Sequence, residues 1–316
     1  MKIKLFKLMT IFAIIGVVSG CAVAPIEQKP STPSTLSANQ LVAEIPVGSN
    51  PHRLAVGEGA LWVANSGANT VSRIDLGTNQ VVATIKVGNT PVDVSVGEGA
   101  AWVANNLDKS VSRIDLKTNQ VAATIKVGEA PRGVVVGLGS VWVTVGREDA
   151  VVRIDPATDQ VIATMQGVES PAQIAVGESA IWVTSRIGNQ VSRIDPKSNQ
   201  IVTTIDIGYP TIALAVTKDA VWVAGSGDPR VTRIDPTTNQ IVSEINVANN
   251  PWGLAATEDA VWVTTNSNDT LSKIDPQTDQ VVATFEVGSG PVGLALGDHM
   301  LWVANGGDNT IWKIKP

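Results

Sequence analysis

The chain has 316 residues, of which 44% are hydrophobic and 16% charged, with a formal net charge of −6. That composition belongs to a folded, β-rich protein and lacks the basic footprint a nucleic-acid partner requires. Phe and Tyr are scarce while Trp occurs 9 times, and the single cysteine excludes an internal disulfide.

In chain order, Lys2, Lys4 and Lys7 precede an apolar run from Leu8 to Val18. The run is about half of the roughly 20 residues that a membrane-spanning helix needs, so residues 1–20 read as a signal peptide. Val18-Ser19-Gly20-Cys21 resembles a bacterial lipobox, which implies cleavage before Cys21 and acylation of its thiol. The expectation is a lipoprotein of the bacterial cell envelope, held on a membrane through Cys21, on its periplasmic or outer-surface side. Acyl chains give about 0.8 kcal/mol of anchoring per buried CH₂. Residues 21–40, rich in Pro, Ser and Thr and without a hydrophobic period, read as a flexible tether. Loss of residues 1–20 removes three Lys and no acid and leaves a net charge of −9.

From residue 41 onward a 40-residue unit recurs without insertion. Trp62, Trp102, Trp142, Trp182, Trp222, Trp262 and Trp302 mark it, and Ile-Asp keeps the same register from Ile74-Asp75 to Ile274-Asp275. Each unit reads as four short strands, a to d, divided by turn signals. In the first unit these lie at about Arg53 to Val56, Leu61 to Ala64, Val71 to Ile74 and Val81 to Val87. Strand b is apolar on both faces and strand d alternates, so burial is expected to grade outward along the unit. A sheet of this size cannot bury its faces alone, and four strands per 40 residues predict an all-β, seven-bladed propeller. The blades are expected at about 51–87, 91–127, 131–167, 171–207, 211–247, 251–287 and 291–316. Residues 41–47 match a strand d, whereas the last unit stops after strand c, so they are expected to complete blade seven and close the ring as one domain, 41–316, and a monomer.

The pattern Pro-x-x-[Leu/Val]-Ala-Val-Gly-Glu-Gly-Ala-x-Trp-Val-Ala-Asn, followed by Val-Ser-Arg-Ile-Asp and Asn-Gln-Val-Val-Ala-Thr-Ile-x-Val-Gly, resembles the YVTN-type repeat of YncE-like propeller proteins. It is also similar to the repeats of streptogramin B lyase. The resemblance covers 41–316 and implies the propeller fold; for function it implies binding more than catalysis. Relatives of the first kind are linked to single-stranded DNA, which a net charge of −9 opposes. A lyase of the second kind implies a His base and a carboxylate-held metal near the channel, of which only His52 with Asp93 has a counterpart here.

In a propeller the a–b and c–d turns share one face and the d–a and b–c connections the other. The turns of the first face are nearly uniform, and Asp75 and its repeats read as turn caps. Variation gathers on the second face. After the Pro of each d–a loop come His52-Arg53, Val92-Asp93, Arg132-Gly133, Ala172-Gln173, Ile212-Ala213, Trp252-Gly253 and Val292-Gly293. Five of the ten Arg belong to strand c of the repeat; the other five, Arg53, Arg132, Arg147, Arg186 and Arg230, all fall on this face. One reading is solvated loop residues neutralised by Glu148, Asp149 and Asp228. The other is a half-ring of guanidinium groups for an anionic ligand (a carboxylate, a phosphate or a wall polymer), with Trp252 and Tyr209 as stacking surfaces and Asn65, Asn105 and Asn305 as neutral donors. His299 falls on the opposite face from His52, so the two cannot pair, and no metal or cofactor motif stands out. The expected function is a membrane-anchored binding module that recognises its ligand on the d–a/b–c face. A carbon–oxygen lyase, with His52 as its one candidate base, and an envelope-complex scaffold that docks a protein are the alternatives.

Overall fold

The structure, a computed structural model, describes residues 33–37 and 40–316. The signal segment, Cys21 and residues 21–32 lie outside the described residues. No helix among those described is long and apolar enough to cross a membrane.

Seven four-stranded antiparallel sheets form a ring of blades. Blade one consists of strands a (Pro51–Gly57), b (Ala60–Asn65), c (Thr70–Asp75) and d (Val81–Lys86), and the other blades repeat this order. Burial grades outward as the pattern predicts. Every residue of blade one's strand b is buried, whereas its strand d exposes all but Ala83 and Ile85. Blade seven consists of Pro291–Gly297, Met300–Asn305 and Thr310–Ile314, completed by Leu41–Pro46, which pairs Leu41 with Ile314 and Ile45 with Ile311. Within the segment read as a tether, Ser34–Thr35 adds a short parallel strand to the outer edge of blade six, opposite Phe285 and Glu286.

The core is divided into pockets of apolar side chains lying between consecutive blades. Trp62 packs with Val94, Val103 and Ile114 of blade two, and Trp302 with Leu54, Leu61 and Ile74 of blade one, so the last such layer closes the ring. A second element of the repeat ties blades together on their outer side. The strand-c cation lies over its own blade's Trp, as Arg73 over Trp62 at 5.2 Å. It then donates to the c–d turn of the next blade: Arg73 Nη1 to Leu116 O at 3.0 Å and to Asn119 Oδ1 at 2.8 Å. Lys313 does the same across the closure, to Leu76 O at 2.7 Å and Asn79 Oδ1 at 3.0 Å. The accepting Asn and Asp sit at left-handed φ (Asn79 58°, Asn119 56°), a conformation these residues tolerate better than most. Lys313→Ala is therefore expected to cost about 1.5–3 kcal/mol, the usual worth of hydrogen bonds to a buried charge; equilibrium urea unfolding checks it, and an unchanged midpoint would refute the clamp.

Asp75 caps its turn as expected, its Oδ1 accepting from Gly77 N, Thr78 N and Thr78 Oγ1, and these bonds hold its carboxyl below the usual range. The a–b turns are less uniform than the sequence suggests. In blades one, two, three and seven both central residues are left-handed, as at Glu58 and Gly59, whereas the Gly-free turns of blades four to six contain no left-handed residue. Gly at the second central position suits this turn in blades one to three, whereas blade seven makes it with Asp298 and His299.

Candidate functional site

Strand a of each blade lines the axis, and in blades one to six the residue after its opening position lines a central pocket on the d–a/b–c face. His52, Val92, Arg132, Ala172, Ile212 and Trp252 line it, joined by Arg53 and Gln173 from the next position and by Asn106 and Arg186 from b–c loops; together they bound about 610 Å³, the open mouth included. Six of the seven variable positions read from the repeat thus converge on one cavity.

The floor is built by contacts that cross the axis. Arg53 of blade one donates from Nη2 to Ile212 O of blade five at 3.2 Å. Asp93 is buried; its Oδ1 accepts from Val94 N at 2.9 Å, its Oδ2 from Val134 N at 3.0 Å, and the Gln173 side chain adds a further bond. Burial pushes its carboxyl up to about 6, against the pull of the Arg53 guanidinium and of these hydrogen bonds. Close approach of the inner strands leaves no room for a side chain at Gly293, where a Cβ would sit 2.3 Å from His52 O.

His52 Nδ1 lies 2.7 Å from Val92 O. A carbonyl only accepts, so Nδ1 carries the proton and Nε2 keeps its lone pair. Burial, with the positive charges of Arg53 and Arg132, lowers the imidazole to about 4. The two shifts oppose each other in stability. His52, lowered from 6.5 to about 4, contributes stability that is complete above pH 6.5 and is lost as pH falls toward 4. Asp93, raised from 3.8 to about 6, carries a penalty that is complete above pH 6 and is relieved as pH falls toward 3.8. Asp93→Asn should therefore lose about 1–2 kcal/mol more than the parent between pH 7 and 4.5, allowing for the solvent that reaches the pocket, and His52→Gln should gain by a similar amount. Melting curves at the two pH values test this; parallel behaviour of all three proteins would contradict it.

The five variable Arg divide into groups. Arg53 is committed to the floor. Arg230 is neutralised: it pairs with Asp228 (Nε to Oδ1 2.8 Å, Nη2 to Oδ2 2.9 Å) and with Glu244 at 2.9 Å, and it covers the Tyr209 ring at 4.8 Å. It leaves the expected half-ring. Tyr209 leaves the site with it, being 3% exposed with its hydroxyl 2.7 Å from Thr232 Oγ1 and, through burial, pushed up to about 12. Asn65, Asn105 and Asn305 are also corrected, because all three are fully buried and brace b–c turns, as Asn65 Nδ2 does by donating to Thr70 Oγ1 and Ser72 Oγ. Asn at this strand end is a packing residue.

Arg132, Arg147 and Arg186 remain. Arg132 is held below its usual range first by burial, then by the charges of Arg186 and Arg147. Its Nε is buried with no hydrogen-bond partner. The acids expected to neutralise this group act elsewhere: Glu148 accepts from Glu129 N at 2.7 Å, and Asp149 from Ser170 N at 2.8 Å. Among the described residues neither Arg147 nor Arg186 forms an ion pair within 4.0 Å, although the Arg147 charge helps to hold the Glu129 carboxyl down, which leaves Arg186 as the one without a carboxylate partner. Gly146 lets Arg132 lie against its loop, since a Cβ there would sit 2.7 Å from Arg132 Nε.

The residues do not fit the carboxylate-held metal that the lyase resemblance implies. No carboxylate lines the pocket, both Asp93 oxygens are engaged, and no three His, Cys, Asp or Glu side chains converge among the described residues. Gln173 and Asn106, which sequence reasoning did not single out as ligand contacts, are pocket residues; their positions in the variable loops were the available signal.

Among solved structures the chain is similar to hydrazine synthase of Kuenenia stuttgartiensis, with a TM-score of 0.77 at 17% identity over 90% of this chain and 99% of that one. It is similar to streptogramin B lyase, with a TM-score of 0.75 at 19% identity over 86% of this chain and 96% of that one. At these identities the likeness shows the propeller fold. No family model and no curated protein matches the chain.

Proposed function

We propose that this protein is a binding module that captures a small anionic ligand in the central pocket, and that it does so at the cell envelope, held there through Cys21. The observation that carries this reading is the pair of guanidiniums in the pocket lining, Arg132 and Arg186, with no carboxylate in that lining, Arg132 being held down by burial and by the charges of Arg186 and of Arg147 outside it. A charge cluster of this kind costs folding free energy unless a ligand offsets it, and Arg is suited to carboxylate or phosphate through paired N–H donors. The YVTN-type repeat pattern supports a binding role over a catalytic one. Calorimetric titration with inorganic phosphate and with a simple dicarboxylate at two salt concentrations tests the reading. Saturable 1:1 binding of at least one anion, weaker at higher salt, supports it; no saturable binding of either overturns it.

The lyase alternative draws on one observation, the free Nε2 lone pair of His52. An imidazole lowered to about 4 is unprotonated at neutral pH yet a feeble base, far from the match to working pH that proton abstraction requires. Turnover of a cyclic depsipeptide that disappears in His52→Ala would favour that alternative.

A further inference from the structure

The pocket has two chemically distinct sides. Arg132 and Arg186 come from blades three and four, Ile212 and Trp252 from blades five and six. Trp252 is not one of the seven repeat Trp, which are all buried; its equivalents in the other blades are His52, Val92, Arg132, Ala172, Ile212 and Val292. It is partly exposed, and Val92 and Ala172 extend the apolar lining. Apolar and aromatic surface left open beside a few convergent charged groups marks a ligand cavity rather than an ordinary protein surface. A bare inorganic anion would satisfy the guanidiniums and leave this wall wet.

We propose that the pocket takes a small anion carrying a flat apolar ring, its anionic group on Arg132 and Arg186 and its ring against Trp252 and Ile212. The proposal rests on the anion-binding reading and adds the class of ligand. His52 Nε2, an acceptor on the same cavity, suits a hydroxyl or N–H donor on the ring. Arg147, outside the lining, strengthens the field that draws the anion in.

The test compares inorganic phosphate, phenyl phosphate and phenol by titration of the full chain and of Trp252→Ala, Trp252→Phe and Arg132→Gln/Arg186→Gln. Phenyl phosphate is expected to bind at least tenfold more tightly than phosphate. Trp252→Ala should erase that advantage while leaving phosphate affinity within about twofold, and Trp252→Phe, which restores a ring, should retain most of it. Equal affinity for phosphate and phenyl phosphate, or equal loss of both in Trp252→Ala, overturns the proposal while leaving anion binding standing. Phenol binding as well as phenyl phosphate, with no effect of the double Arg substitution, overturns both.

Discussion

Arg132→Gln/Arg186→Gln is expected to lose anion binding by on the order of 100-fold or more, and to melt at a higher temperature than the parent in ligand-free buffer. The first effect follows from removing two charge-assisted contacts worth about 1.5–3 kcal/mol each. The second follows from the fold. Arg132 is lowered by burial and by the two neighbouring Arg, and its Nε is buried without a partner, so in the unliganded protein its charge is a liability. Gln keeps an amide for hydrogen bonding and removes the charge, which should return about 0.5–1 kcal/mol to the folded state. Stabilisation by loss of function is the signature of a site kept for binding rather than for structure. Retained affinity, or a clear fall in melting temperature, would contradict this account.

Deletion of residues 1–47 is expected to be the most damaging change in the chain. It removes Leu41–Pro46, the outer strand of blade seven, and with it Ile45, which is 4% exposed and packs in the closure layer with Leu54, Leu61 and Trp302. Loss of one such buried Ile costs about 2–5 kcal/mol. The edge of Thr310–Ile314 is also left unpaired and open to edge-to-edge association. Together these approach the whole stability of an ordinary domain, about 5–15 kcal/mol, so the truncated chain should aggregate or melt without a cooperative transition. Among the described residues, deletion of residues 1–37 removes the two-residue strand at Ser34–Thr35 and its neighbours, and it should shift the melting temperature far less. Calorimetry and size-exclusion chromatography of the two truncations decide it; equal behaviour would mean that closure does not rest on Leu41–Pro46.

Fold and site differed in how far the sequence exposed them. A Trp recurring every 40 residues reports a buried strand in each blade, because an invariant period leaves one way to stack the units, and the split blade follows from the same register. The variable face was legible for a related reason, since positions that the scaffold does not constrain stand out against seven copies. What each side chain does there was not. Arg230 and Arg186 look alike in sequence, yet Asp228 two residues away and Glu244 on the adjacent strand d neutralise the first, and among the described residues no ion pair answers the second. Asn65 resembles an exposed donor until the buried end of strand b is seen to enclose it. Arg53 meeting Ile212 O across the axis depends on the ring's diameter, which no local pattern encodes.

The central claim, that guanidiniums lining a pocket without a carboxylate make this face an anion site, is tested most directly by the melting temperature with and without phosphate at constant ionic strength. Ligand that binds only the folded state stabilises it by about 2.7 kcal/mol at a hundred times Kd. The parent protein is predicted to rise by several degrees and Arg132→Gln/Arg186→Gln to stay within a degree of its own ligand-free value. Equal shifts in the two proteins would contradict the account.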